Sequence, residues 1–171
     1  MNNLATPEEL VQRWNELCRD PSLDDLPYKI ELNAWGKVEM SPASVRHGWL
    51  QAALAAEFTQ QLRDGVTVTE CPILTDIGIR APDVVWASAR FMAQYRGMSP
   101  LPHAPEMCVE IISPSNVAAE ITEKTRAYLA AGAEEVWLVS DEEGIRYIDR
   151  SGEKARSRFP VTVSFPPQGY P

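Results

Sequence analysis

The hydrophobic positions of this chain change period several times, and each change marks an element. Leu10, Trp14 and Leu17 fall on one helical face behind Thr6-Pro7-Glu8-Glu9. Threonine caps that helix, proline suits its first position and Glu9 completes a capping box, so a helix is expected from there to about residue 19, with a polar turn over 20–27. Residues 28–32 and 37–40 read as two strands joined by a turn through Asn33 and Gly36. Ser41-Pro42-Ala43-Ser44 stops the second strand and caps a helix over 45–63, in which Trp49, Leu50, Ala53, Leu54 and Phe58 recur at helical spacing and Gly65 is the terminator. Residues 66–71, 73–79 and 81–86 read as strands, 88–95 as a short helix and 97–105 as a proline-rich loop. Residues 107–112 are continuously apolar except for Glu110, the pattern of a strand covered on both faces. A helix over 117–131, capped by Gly132, follows it, then strands over 135–140, 145–150 and within 158–165. Strand, helix, strand predicts a parallel pair with a right-handed crossover. The class is α/β in the α+β mixed sense: one domain over 1–171, with its core at about 28–150 and an N-terminal helix and β-hairpin ahead of it.

Composition narrows the chemistry. A chain of 171 residues with 44% hydrophobic and 23% charged residues is an ordinary globular protein with room for a substantial core. The net charge of -8 runs against tight non-specific binding of nucleic acid, which needs a cationic surface, although carboxylates clustered around a metal add negative charge that the ion offsets. Cys18, Cys71 and Cys108 are odd in number, far apart and without CxxC spacing, which fits buried thiols in a reducing cytoplasm and argues against zinc. MNNLATPEEL lacks the basic and apolar regions of a signal peptide, and no stretch approaches the roughly 18 apolar residues of a membrane span, so the expected location is cytoplasmic with no membrane contact. GxSxG, P-loop, GxGxxG and HExxH signatures are absent.

The chemistry concentrates between Ala81 and Gly132. Glu110 stands in Met-Cys-Val-Glu-Ile-Ile, where a buried carboxylate must be protonated, paired or bound to a metal. Asp83 follows a proline at the start of an apolar strand, the place of a turn residue or of a ligand. Lys124 lies one turn beyond Glu120 on the next helix; either the two form a solvated pair, or the lysine points back over the strand end. Two carboxylates on neighbouring strands plus a lysine suffice to hold a divalent metal against a phosphodiester and activate a water. Glu39, in Gly-Lys-Val-Glu-Met-Ser-Pro, offers a further metal carboxylate, and His47 opens the long helix as a cap, a surface residue or a base.

PDVVW, then PEMCVEIISPSN, then ExxxK and YLAAGAEEVWLV, together with GKVEMSPASVRH upstream, resemble the Uma-type family of restriction-endonuclease-like proteins in the PD-(D/E)XK nuclease superfamily, over roughly residues 28–148. The resemblance implies a restriction-endonuclease-like fold, a central mixed β-sheet flanked by helices, with Asp83 and Glu110 as magnesium (or manganese) ligands. It matches Glu39 to the family's upstream acid and His47 to its histidine. The superfamily's Glu-x-Lys lysine position holds Ile112, and Lys124 on the following helix stands as its replacement. Glu120 occupies a place where aspartate is commoner.

The expected activity is therefore metal-dependent hydrolysis of nucleic-acid phosphodiester bonds, with DNA the expected partner, through Asp83, Glu110 and Lys124. One rival is a catalytically inactive module binding nucleic acid or protein; another is a hydrolase of small phosphate esters in a narrow pocket. A cleft lined by Lys29, Lys37, Arg46, Arg80 and Arg126 would favour DNA. The apolar tail (Val161, Val163, Phe165, Tyr170) offers a homodimer interface.

Overall fold

The computed structural model describes residues 4–24, 26–42, 44–113, 116–140 and 143–164. In chain order the elements are α1 (Pro7–Leu17), a 3-10 turn (Pro21–Leu23), β1 (Tyr28–Asn33), β2 (Val38–Pro42), α2 (Val45–Gln61), β3 (Gly65–Thr69), β4 (Ile73–Thr75), β5 (Gly78–Arg80), β6 (Val84–Ser88), α3 (Ala89–Tyr95), β7 (Met107–Ile111), α4 (Ala118–Ala131), β8 (Glu135–Ser140), β9 (Gly144–Asp149) and β10 (Gly152–Lys154). The capping box forms as expected: Glu9 N–H donates to Thr6 Oγ1 at 3.2 Å and Thr6 N–H to Glu9 Oε2 at 2.7 Å.

The strands divide into two sheets. One is antiparallel throughout, in the order β2-β1-β5-β4; the other is mixed, in the order β10-β9-β8-β7-β6-β3, with β7 and β8 its parallel pair. Helix α4 makes the crossover that such a pair requires. Apolar residues of α2 (Leu50, Leu54, Phe58) pack on one face of the mixed sheet against Val84, Met107, Val109 and Trp137, and α4 covers the other through Ile121 and Tyr128. The smaller sheet packs Leu32 and Ile79 against Leu10 and Leu17 of α1.

Several local expectations change. Residues 73–79 form a tight hairpin, with Thr75 paired to Gly78, because Thr75 Oγ1 donates to the Gly78 carbonyl at 2.8 Å and closes the turn. Gly78 has φ +116°, and a Cβ there would lie 2.1 Å from the Leu32 carbonyl, so only glycine lets β5 approach β1. Helix α2 stops at Gln61, before Gly65. Gly65 instead opens β3, where a Cβ would meet the Ala87 carbonyl and the Trp86 ring at 2.3–2.7 Å.

The expected strand within 158–165 is absent from the described residues up to 164. Alternation in Val161-Thr162-Val163 resembles a strand, but the neighbour is a helix. The Gln61 carboxamide donates to Thr162 O and accepts from Thr162 N–H, both at 2.9 Å, and so takes the place of a ladder partner. Val161 and Val163 pack against the chain's own core rather than lining a free tail, while Phe165 and Tyr170 lie outside the described residues. Cys71 and Cys108 are buried, as expected, and burial pushes the Cys71 thiol up to about 12; Cys18 is exposed. No helix among the described residues is long and apolar enough to cross a membrane.

Candidate active site

Where the hairpin β1–β2 meets β6, β7 and α4, three buried carboxylates converge: Glu31, Asp83 and Glu110, all less than 7% exposed. Asp83 precedes β6 and is held from several sides. Its N–H donates to Val109 O at 2.9 Å, and its carbonyl accepts from Glu70 N–H at 3.1 Å and Gln51 Nε2 at 2.9 Å. Its Oδ2 accepts from Ile111 N–H at 2.7 Å, so the side chain extends the β6–β7 ladder by one rung. Its Oδ1 meets Lys29 Nζ at 2.7 Å and His47 Nε2 at 3.1 Å.

Glu110, on β7, points to the α4 side, where Tyr128 Oη donates to its Oε1 at 2.6 Å and Lys124 Nζ lies 3.9 Å away. Buried positions of α4 recur at Ile121, Lys124, Thr125 and Tyr128. Lys124 thus occupies a core position of the helix, and its ammonium is directed inward, 2.9 Å from Glu31 Oε2. Glu120, one turn earlier, is exposed. Of the two alternatives for Lys124, the inward one is realised.

Glu31 alternates with Lys29 on one face of β1. Its Oε1 accepts from Ala81 N–H at 2.7 Å, and Arg80 Nη1 lies 3.4 Å from its Oε2. Glu39 stands directly opposite Glu31 across the β1–β2 ladder, and Arg80 bridges the two like charges. The Glu39 carboxylate, with Asn33 Nδ2 at 3.1 Å and about half its side chain exposed, faces this arginine rather than Asp83 or Glu110.

Among the sequence candidates, Asp83, Glu110, Lys124 and His47 come together, and Glu39 sits one strand further out. Glu31, Tyr128 and Gln51 belong to the same network without having been singled out, and Lys29 had been expected only in a cationic cleft. The signal for Tyr128 was its place one turn beyond Lys124 on the buried stripe of α4. Glu31 carried no such local signal. The five cations expected along one cleft do not line it together: Lys29 and Arg80 are committed to the buried acids, and Arg126 pairs with exposed Asp76 at 2.6 Å.

Burial raises the carboxyl of Asp83, but the His47 hydrogen bond and the Lys29 charge outweigh it and hold the group at about 2. For Glu110 burial prevails over Lys29 and Lys124, and its carboxyl is raised. Burial likewise opposes ionisation of Lys124, yet Glu110 and Glu31 lift it above the ordinary lysine value. His47 is raised, first by its hydrogen bond to Asp83.

Hard carboxylate oxygens are the donors a magnesium-like ion selects, and such ions are held by one or two carboxylates, keeping water and substrate oxygens as the rest of their shell. Asp83 and Glu110 meet that requirement, although among the described residues no three His, Cys, Asp or Glu side chains are arranged to enclose a metal by themselves. A separate groove of about 1130 Å³ runs along α4, β8 and β9, lined by Ile112, Leu129, Leu138 and Arg146, and none of Asp83, Glu110 or Lys124 lines it.

The crystal structure of a "putative nuclease belonging to DUF820" from Anabaena variabilis shares this fold, with a TM-score of 0.67 over 88% of this chain and 83% of that one at 14% identity. No curated protein sequence matches. The Uma2 family model, described as "Putative restriction endonuclease", matches residues 12–164, and the chain belongs to that family.

Proposed function

We propose that the protein is a metal-dependent nuclease that hydrolyses nucleic-acid phosphodiester bonds at Asp83, Glu110 and Lys124. The observation that carries this reading is the buried convergence of two strand-borne carboxylates with an inward-directed lysine, in a chain of a restriction-endonuclease family. Asp83 and Glu110 would hold the divalent ion, magnesium or manganese. When bound, the ion would supply Lewis acidity toward a phosphoryl oxygen and an acidified water. Ile111 N–H, Gln51 and the backbone around Asp83 fix the first carboxylate, and Tyr128 Oη fixes the second. Lys124 stays cationic beside Glu110 and stabilises negative charge developing on the phosphate. His47 holds a proton against Asp83 Oδ1. Glu39 acts at a remove, through Arg80 and Glu31.

Supercoiled plasmid incubated with magnesium or manganese tests the reading. The wild-type protein should nick it, and Glu110→Ala and Lys124→Ala should not; metal-dependent cleavage by either variant would refute the assignment. A second reading, a non-catalytic module on the same fold, draws on the cations already seated on all three carboxylates and on the net charge of -8. It gains if wild type binds metal and DNA without cleaving.

A further inference from the structure

We infer that Lys29 is a built-in counter-ion that competes with the divalent metal for Asp83, so that metal loading requires its ammonium to leave. This rests on the nuclease reading above. Asp83 has one oxygen, Oδ2, committed to the Ile111 amide, and only Oδ1 is left to face a ligand. That oxygen carries Lys29 Nζ at 2.7 Å, with His47 Nε2 beside it at 3.1 Å. The lysine side chain is 10% exposed, and the burial of its ammonium is outweighed by Glu110, Asp83 and Glu31 together.

Charge counting leads to the same place. Glu31, Asp83, Glu110 and the Arg80 partner Glu39 bring four negative charges; Lys29, Lys124 and Arg80 bring three positive ones, and His47 on Asp83 a fourth when protonated. A divalent ion entering a neutral buried cluster would leave two uncompensated positive charges, which a low-dielectric site does not tolerate. Moving one ammonium away relieves half of that excess, and a phosphate of the substrate relieves the rest.

Lys29 is the cation placed to move. Lys124 is fixed at 2.9 Å on Glu31, an acid outside the proposed metal pair, and Arg80 is shared between Glu31 and Glu39. Lys29 alone of the three sits directly on a proposed metal ligand at hydrogen-bond distance, at the outer end of β1 next to exposed Tyr28. The pairing makes the resting site self-neutralised and selective. A monovalent cation gains little by replacing an ammonium, whereas a divalent ion gains both carboxylates.

Calorimetric titration of manganese into wild type, Lys29→Met and Asp83→Asn tests this. Lys29→Met should bind manganese about tenfold more tightly than wild type, and Asp83→Asn should lose binding. Equal affinities in wild type and Lys29→Met, with Asp83→Asn silent, would overturn the competition and leave the nuclease reading standing. No manganese binding by wild type or Lys29→Met would remove both.

Because Lys29→Met strips a partner from a buried acid, the wild-type protein provides a second readout. Brief acetylation of lysine amines, read by mass spectrometry, should modify Lys29 several-fold faster with saturating manganese than with EDTA, while exposed Lys37 and half-buried Lys154 react alike in both. Unchanged labelling of Lys29 under saturating manganese would overturn the inference.

Discussion

Two groups of buried acids in this molecule look alike by exposure and differ in what satisfies them. Glu135, 1% exposed on β8, accepts from Trp137 Nε1 at 2.6 Å, Ser157 Oγ at 2.5 Å and Arg158 N–H at 2.9 Å. Its partners are neutral and short or rigid, and they tie residues 157–158 to the sheet. Glu31, Asp83 and Glu110 are as deeply buried and each also accepts from one neutral donor, but long-chain cations lie against them as well: Lys29 from β1, Lys124 from α4, Arg80 from β5. Neutral donors saturate a carboxylate and leave it nothing further to do. Ammonium groups can be exchanged for another cation, so the second arrangement keeps the acids available for chemistry. Burial of an acid does not distinguish a site from a staple; the kind of partner does.

Exchanging the acids one at a time separates the two groups most sharply. Glu110→Gln should lower plasmid cleavage about a thousandfold, equivalent to about 4 kcal/mol in the barrier, with little change in the urea midpoint. The converse is expected of Glu135→Ala: about 3 kcal/mol of stability lost on urea unfolding, because three donors lose their acceptor, with cleavage by the folded fraction near wild type. If Glu135→Ala abolished cleavage in a protein that remained folded, the distinction between the groups would collapse.

Coupling is the next, smaller effect. A double-mutant cycle of Glu31→Gln with Lys124→Met should give an interaction of about 2 kcal/mol in urea unfolding, as expected for a buried pair that is part of a network. The smallest concerns pH. His47 is raised in the folded state by Asp83, so its contribution is fully present below the unfolded value of about 6.5 and is lost as pH rises through the higher folded value. Metal-free wild type should therefore lose a few tenths of a kcal/mol relative to His47→Gln between about pH 6 and 8, on the scale of partly exposed pairs. A constant difference across that range would show that the imidazole does not carry charge there.

Much of this was legible in the chain. The capping box, the long helix, the parallel pair around α4 and the meeting of Asp83, Glu110, Lys124 and His47 follow from local pattern and family resemblance. Glu31 was not legible because alternation in Tyr28-Lys29-Ile30-Glu31-Leu32 reads as a strand with a wet face; what buries that face is α4 and Ala81, 50 or more residues away. Glu39 was preferred because it carries the motif, yet register places it on the outer side of Arg80. The final strand failed for a related reason. Alternation reports which side of a segment is covered and not whether its neighbour is a strand or, as here, the carboxamide of Gln61. Pro114 and Ser115 of the Glu-x-x-Ser-Pro-Ser box lie outside the described residues.

The contacts that close the acidic cluster span long stretches of chain: Lys29 to Asp83 crosses 54 positions, Glu31 to Ala81 crosses 50 and Tyr128 to Glu110 crosses 18. Loops of that length close late, after local helices and hairpins have formed. Until the hairpin and α4 both dock, the three acids lack the lysine partners that face them across elements in the folded protein. A chain emerging in synthesis, or one opened by a protease, therefore carries the side chains of the candidate site without the site itself. The candidate site is complete only with the last tertiary contact and is lost with the first one broken.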